Sequence, residues 1–123
     1  MEKHVENILD KSQEFYLLAI EIYNKPTIKY RVDGFSFFIC SAWELLFKAH
    51  LLNIGEQINY KKKNINRTIS LSDAIKRIMT NDKNPIRVNL EIVVGIRNMA
   101  NHLIVPEYTD IMNEVFTACY LKK

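Results

Sequence analysis

The run FSFFICSAWELLFKAHLL, inside residues 33–54, constrains the fold more than any other part of the chain. At about 100° per residue, Asp33, Ser41, Glu44 and Lys48 gather in an arc of about 80°, and nearly every other position around the helix is apolar. A helix of this kind needs cover on several sides. The chain is therefore expected to wrap its other elements around it, and a dimer interface is a natural source of whatever cover one short chain lacks.

Those other elements also read as helices. Residues 4–24 place Val5, Ile8, Leu9, Phe15, Tyr16, Ala19, Ile22 and Tyr23 at spacings of three and four, with only Ser12 interrupting the stripe. Pro26 ends that helix. Residues 55–70, GEQINYKKKNINRTIS, break the periodicity with Gly55 and three asparagines. The segments INYKK and NRTI fit a short two-stranded hairpin near residues 57–69, with a solvated loop as the alternative. Ser70 and Asp73 form a capping box for a short helix containing Leu71, Ala74, Ile75, Ile78 and Met79. Asn84 followed by Pro85 opens another helix that runs towards Pro106. A final helix, 107–121, gathers Tyr108, Ile111, Met112, Val115, Ala118 and Cys119 on one face. The expectation is an all-α bundle of about five helices, forming a single domain over residues 1–123.

With three glycines and three prolines the composition suits helices, and the hydrophobic fraction of 48% is that of an ordinary globular chain. The start, MEKHVENILDK, carries acidic residues and lacks the apolar run of a signal or transit peptide. No uninterrupted apolar stretch approaches the roughly 18 to 20 residues that span a bilayer, so a cytoplasmic protein with no membrane partner is expected. Cys40 and Cys119 fall on apolar helical faces, where free cysteines act as small hydrophobes, and no structural disulfide is expected between them. His4 and His50 lack ligand-spaced partners, so neither a metal nor another cofactor is expected. The absence of a glycine-rich phosphate loop and of a nucleophile-elbow serine disfavours a nucleotide triphosphatase or a serine hydrolase. The net charge of +3 is mild, but YKKKNINR, residues 60–67, concentrates four of the 17 lysines and arginines.

The helix after Pro85 carries the unusual chemistry, in GIRNMANHLI, residues 95–104. With Arg97 at zero, Asn101 projects near 40°, Asn98 near about 100° and His102 near about 140°. Arg87 and Glu91 join the same arc with only Val94 interrupting, while Ile86, Val88, Leu90, Ile92, Val93, Ile96, Met99, Ala100, Leu103 and Ile104 are assigned to the apolar remainder. The bland explanation is a solvated face. Against it, two mid-helix asparagines cost a few tenths of a kcal/mol each relative to Lys or Glu. His102 also sits in the last turn, where unsatisfied carbonyls favour the imidazolium form; the Arg97 cation opposes that effect. An imidazole titrating near neutrality suits proton transfer.

The hexapeptide RNMANH resembles the R-x4-H signature of the HEPN superfamily, in the form with asparagine directly after arginine. LLAIEIYNKP, YRVDGFSFFICSAWELLFKAHLL and YKKKNINRTISLSDAIKRI are similar to an uncharacterised HEPN-like branch among prokaryotic defence and toxin proteins, so the resemblance covers nearly the whole chain. It implies a homodimeric, metal-independent endoribonuclease in which two Arg/His pairs meet across the interface. Related proteins are often longer, which leaves this chain as a compact version or as the N-terminal portion of a larger protein.

The chemistry agrees with that implication. Metal-free RNA cleavage needs the ribose 2′-hydroxyl as nucleophile, a base, an acid for the leaving 5′-oxygen and a cation for the phosphate. Two chains about a two-fold axis supply two His102 and two Arg97. Arg97 would neutralise the phosphoryl oxygens, His102 act as acid or base, and Asn98 orient either by hydrogen bonding. The products would be a 2′,3′-cyclic phosphate and a 5′-hydroxyl. Glu44 has two readings of equal weight, holding Arg97 or His102 in place or forming an i,i+4 pair with Lys48. Lys61, Lys62, Lys63 and Arg67 would grip RNA, with Asn101 beside the motif and Tyr60 available to stack; an exposed lysine-rich turn is the competing reading. Trp43 and the phenylalanines around it are expected in the core or at an interface. The expected partners are RNA, a second copy, and an antitoxin or other defence-system protein. Relatives modified by a nucleotidyltransferase antitoxin carry a tyrosine two residues after the histidine, where this chain has Ile104. The competing function is a non-catalytic helical module that dimerises and binds RNA, a nucleotide or a protein.

Overall fold

A computed structural model of the chain describes residues 2–59 and 68–102, the last of these by its backbone only. Four helices are described: α1 (Lys3–Tyr23), α2 (Arg31–Asn53), α3 (Leu71–Ile78) and α4 (Pro85–His102). The architecture is all-α, as the periodicity requires. The fifth expected helix, 107–121, lies outside the described residues.

The helix α2 is the axis of the bundle, with α1 along one side and α3 and α4 against the other. The α1–α2 pair is antiparallel: Tyr23 packs on Phe35 near its closed end, and Phe15 meets Phe38 edge-on at 5.7 Å further along. Gly34 permits the close approach at that end, since an added Cβ there would stand 3.3 Å from the Ile22 side chain. Ser12, the one polar residue in the α1 stripe, is buried and donates from Oγ to the Ala42 carbonyl at 2.6 Å. It therefore belongs to the packed face and ties α1 to α2.

On the other side, Cys40, Phe47 and Leu51 of α2 share a core with Ile69, Leu71, Ala74, Ile75, Leu90 and Val94. Two side chains start the helices that complete it. Ser70 Oγ accepts from the Asp73 backbone N–H at 3.2 Å, and Asn84 Oδ1 accepts from the Ile86 N–H at 2.9 Å. α2 ends with Gly55 at φ 83°, the Gly55 N–H reaching the Leu52 carbonyl and the Glu56 N–H that of Leu51, the paired bonds of a Schellman turn.

The expected hairpin is reduced, among the described residues, to one antiparallel bridge between Asn59 and Thr68, beside an Ile69 N–H to Ile58 carbonyl bond of 2.6 Å. Residues 60–67 between them lie outside the described set. Among the described residues, α2 is long and apolar enough to cross a bilayer, with an 18-residue window of mean hydropathy 1.3. The sequence reading passes over it because Glu44 and Lys48 interrupt the apolar run, whereas an average tolerates them. Seven of its residues, from Ser36 to Leu51, are nevertheless buried against protein, as in the central helix of a bundle.

Candidate functional site

The site is set by which way α4 faces. Leu90 and Val94 are each 6% exposed and pack into the α2–α3 core, and Arg97 follows Val94 by three residues on the same side. The projection that assigns Leu90 to the apolar remainder is corrected here. Leu90 lies seven residues before Arg97, almost in phase with it, so the arc bearing the arginine is the arc that packs against α2. Of the rest of that remainder, Val93 is half-buried against the core, whereas Ile92 is 56% exposed and Met99 66%, with Val88 and Ile96 also open. Burial here follows tertiary contact and not the helix's own amphipathicity, because α2 and α3 lie on the Leu90–Val94 side.

Arg97 is accordingly half-buried rather than free in solvent. Its Nη2 donates to Asn98 Oδ1 at 3.3 Å, the kind of hydrogen bond expected of that asparagine. On α2, Cys40, Glu44 and Lys48 occupy successive turns, about 6 Å apart along the helix. The buried Cys40 thiol registers both sides of this arrangement. Burial pushes its pKa above the ordinary value, the Arg97 cation draws it down, and the Glu44 carboxylate pushes it up again. Cys40 shares its core with Leu90 and Val94, so the thiol lies at the α2–α4 seam. The thiol itself stays protonated at neutral pH and is no nucleophile.

Glu44 pairs with Lys48, Oε2 to Nζ at 3.5 Å. Lys48 Nζ also donates to Thr68 Oγ1 at 2.6 Å, and with 14% of its side chain exposed the lysine is well sheltered. Among the described residues Arg97 forms no ion pair, so its remaining N–H donors are open to an anionic group. Asn98 and Asn101 are exposed on the same helix. The side chain of His102 is not described, and Tyr60, Lys61, Lys62, Lys63 and Arg67 lie outside the described residues; the chain leaves and re-enters beside Lys48, through Asn59 and Thr68.

Sequence reasoning did not assign Cys40, Lys48 or Thr68 to the site. Lys48 carried a signal, its i,i+4 spacing from Glu44, whereas the reach of Thr68 across twenty residues carried none. Trp43 is half-buried and packs on Phe47 at 5.5 Å. It also lines a largely apolar groove of about 390 Å³ with Ser12, Tyr16, Leu17 and Leu46, made by α1 and α2 and separate from the Arg97 seam. Among the described residues no three His, Cys, Asp or Glu side chains cluster as a metal would require. Cys40 is a free, buried thiol, and Cys119 lies outside the described residues.

Comparison with known families decides one point. Residues 7–122 match the model of a domain of unknown function, DUF3644. The chain belongs to the DUF3644 family. No curated protein matches it, and no solved structure does. The family spans both faces of the α2–α4 seam and the segment 60–67, so the candidate site falls wholly within the DUF3644 domain.

Proposed function

We propose that this DUF3644 chain is a metal-independent endoribonuclease of the HEPN type, working as a homodimer in the bacterial cytoplasm as a toxin or phage-defence effector. One observation carries the reading. Arg97 of the RNMANH motif is half-buried on the helical face of Leu90 and Val94, which pack against α2, and no carboxylate pairs with it among the described residues. An arginine that only solubilised a helix would sit on the outward face, where Ile92 and Met99 are found instead.

In this reading Arg97 neutralises the scissile phosphate, held in orientation by Asn98. His102, five residues on, gives or takes the proton at the 2′-hydroxyl or the 5′-oxygen. The helical phase of residue 102 lies between the Arg97 face and the outward apolar face, so a second copy seated on Val88, Ile92 and Met99 would bring two such positions together. Lys61, Lys62, Lys63 and Arg67 add phosphate contacts along the RNA, with Asn101 near the motif.

The same exposed apolar face also favours a second reading, a non-catalytic module that docks a protein through α4. Structured RNAs incubated with the full chain in EDTA separate the two, beside Arg97→Ala and His102→Ala. The ribonuclease leaves 2′,3′-cyclic phosphate ends that both variants abolish, and it elutes as a dimer by light scattering. RNA left equally intact by all three proteins, or a strict monomer, excludes the shared catalytic site.

A further inference from the structure

The turn that joins α1 to α2 brings charge and rings together. Between Glu21 and Asp33 the chain carries Lys25, Lys29 and Arg31 and no acidic residue. Among the described residues none of these three cations forms an ion pair, whereas Lys48 and Arg87 each meet a glutamate one helical turn away. Two tyrosines stand among them, Tyr30 at 68% and Tyr23 at 52% exposure. The cations lie on the rings: Lys29 Nζ is 5.7 Å from the Tyr30 centroid, and Arg31 Cζ is 6.0 Å from that of Tyr23. Tyr23 also packs on Phe35 at 5.1 Å, so one of the two rings is held in place. The backbone between them is held too, because Pro26 presets the turn and the Ile28 N–H donates to the Lys25 carbonyl at 3.1 Å.

We propose that residues 23–31 form a binding platform for single-stranded nucleic acid, with Tyr23 and Tyr30 stacking on bases and Lys25, Lys29 and Arg31 contacting the phosphates between them. Cations without rings would serve any anion, and rings without cations any apolar partner. Bases strung on phosphates are the chemistry that uses both, and every base offers a face to stack whatever the sequence. The platform is separate from the Arg97 seam and needs no cleavage chemistry; that its natural strand is RNA rests on the ribonuclease reading.

The test titrates the full chain against a fluorescent single-stranded DNA and a 2′-O-methyl RNA of the same sequence, neither of which can be cut through a 2′-hydroxyl. Affinities for the two should be similar, because stacking and phosphate contact do not read the 2′ position. Tyr30→Ala should weaken both about tenfold, and Tyr30→Phe, which keeps the ring, should not. Lys25→Ala combined with Lys29→Ala should also weaken both. It should lower the slope of log affinity against log salt by about 1.4, the share of two phosphate contacts on a single strand. Lys76→Ala combined with Lys83→Ala removes the same charge from exposed positions on α3 and ahead of α4, and should leave that slope nearly as it was. All the substituted side chains are exposed, so each variant should keep the wild-type circular dichroism.

A wild-type chain that binds neither strand overturns the proposal, as does an affinity that Tyr30→Ala leaves unchanged. Equal effects of the Lys25 and Lys29 pair and the Lys76 and Lys83 pair would show general charge attraction and overturn it as well. Co-sedimentation with phosphatidylserine vesicles that Tyr30→Ala abolishes, with strand binding untouched, assigns the patch to a membrane surface instead. If the strands bind as expected while the wild-type chain leaves cleavable RNA intact in EDTA, the ribonuclease reading falls and the platform stands. If RNA is cut but Tyr30→Ala binds as the wild type does, the platform falls and the ribonuclease stands.

Discussion

The two faces of α4 invert the usual arrangement of a helix at a protein surface. The face turned to α2 carries Leu90, Val94 and the charged Arg97, and the face turned away carries Val88, Ile92, Ile96 and Met99. Charge at a seam and isoleucine in solvent both run against the hydrophobic effect. A chain that kept its arginine only for solubility would place them the other way round. On the proposed function, the inner face is the one with chemistry to perform and the outer face the one a second copy would cover.

On the proposed function, the largest effect belongs to the inner face. Arg97→Ala should lower RNA cleavage in EDTA by about a hundredfold or more. It should change the urea midpoint little, because Arg97 makes no ion pair among the described residues. A loss of stability equal to that of a core deletion would show that the arginine is there for packing. Next comes Leu90→Ala, expected to destabilise by about 2 to 4 kcal/mol in denaturant titrations, since Leu90 is buried in the α2–α3–α4 core.

Between the faces stands Arg87, whose Nη1 donates to the Met79 carbonyl at 2.8 Å while its Nε meets Glu91 at 2.7 Å. Arg87→Met should cost about 1.5 kcal/mol by loosening α3 from α4, read as a lowered melting temperature. Ile92→Ser should be the mildest, within about 0.5 kcal/mol in dilute protein, with its main effect on mass by light scattering. A large cost from Ile92→Ser at low concentration would mean that the outer face is already covered within one chain.

A pH experiment sharpens the contrast from the side of α2. Burial holds the Cys40 thiol above its ordinary value of 9.0, so the folded chain keeps its proton after the unfolded chain has lost it. The stabilisation is therefore complete below that value and declines as pH rises beyond it. Cys40→Ala should flatten this decline in urea midpoints measured from neutrality into the alkaline range.

The helical architecture was legible because its signals are local. The 3.6-residue stripe of α1, the Ser70 and Asn84 caps and the all-round apolar α2 each act within a few residues, and each corresponds to a described element. Arg97 and Asn98 were legible from their motif, and their mutual hydrogen bond follows from adjacency. The direction in which α4 faces was not legible. At 100° per residue a projection puts Leu90 near about 20° and Val94 near about 60°, in the arc of Arg97, but which arc is buried depends on where α2 and α3 lie. The contact of Lys48 with Thr68 was hidden for the same reason, since it joins residues from either side of the segment 60–67. Ser12 shows the reverse case: a polar interruption in an apolar stripe reads as a flaw until the Ala42 carbonyl appears opposite it.

The bridge between Asn59 and Thr68 holds the two ends of the segment 60–67 side by side, like the posts of a gate. Closing a loop costs only about 0.6 kcal/mol more for each doubling of its length, so inserting or deleting residues within 60–67 should leave the four helices undisturbed. That gate is where a reporter peptide or a foreign recognition sequence can be grafted without redesigning the scaffold.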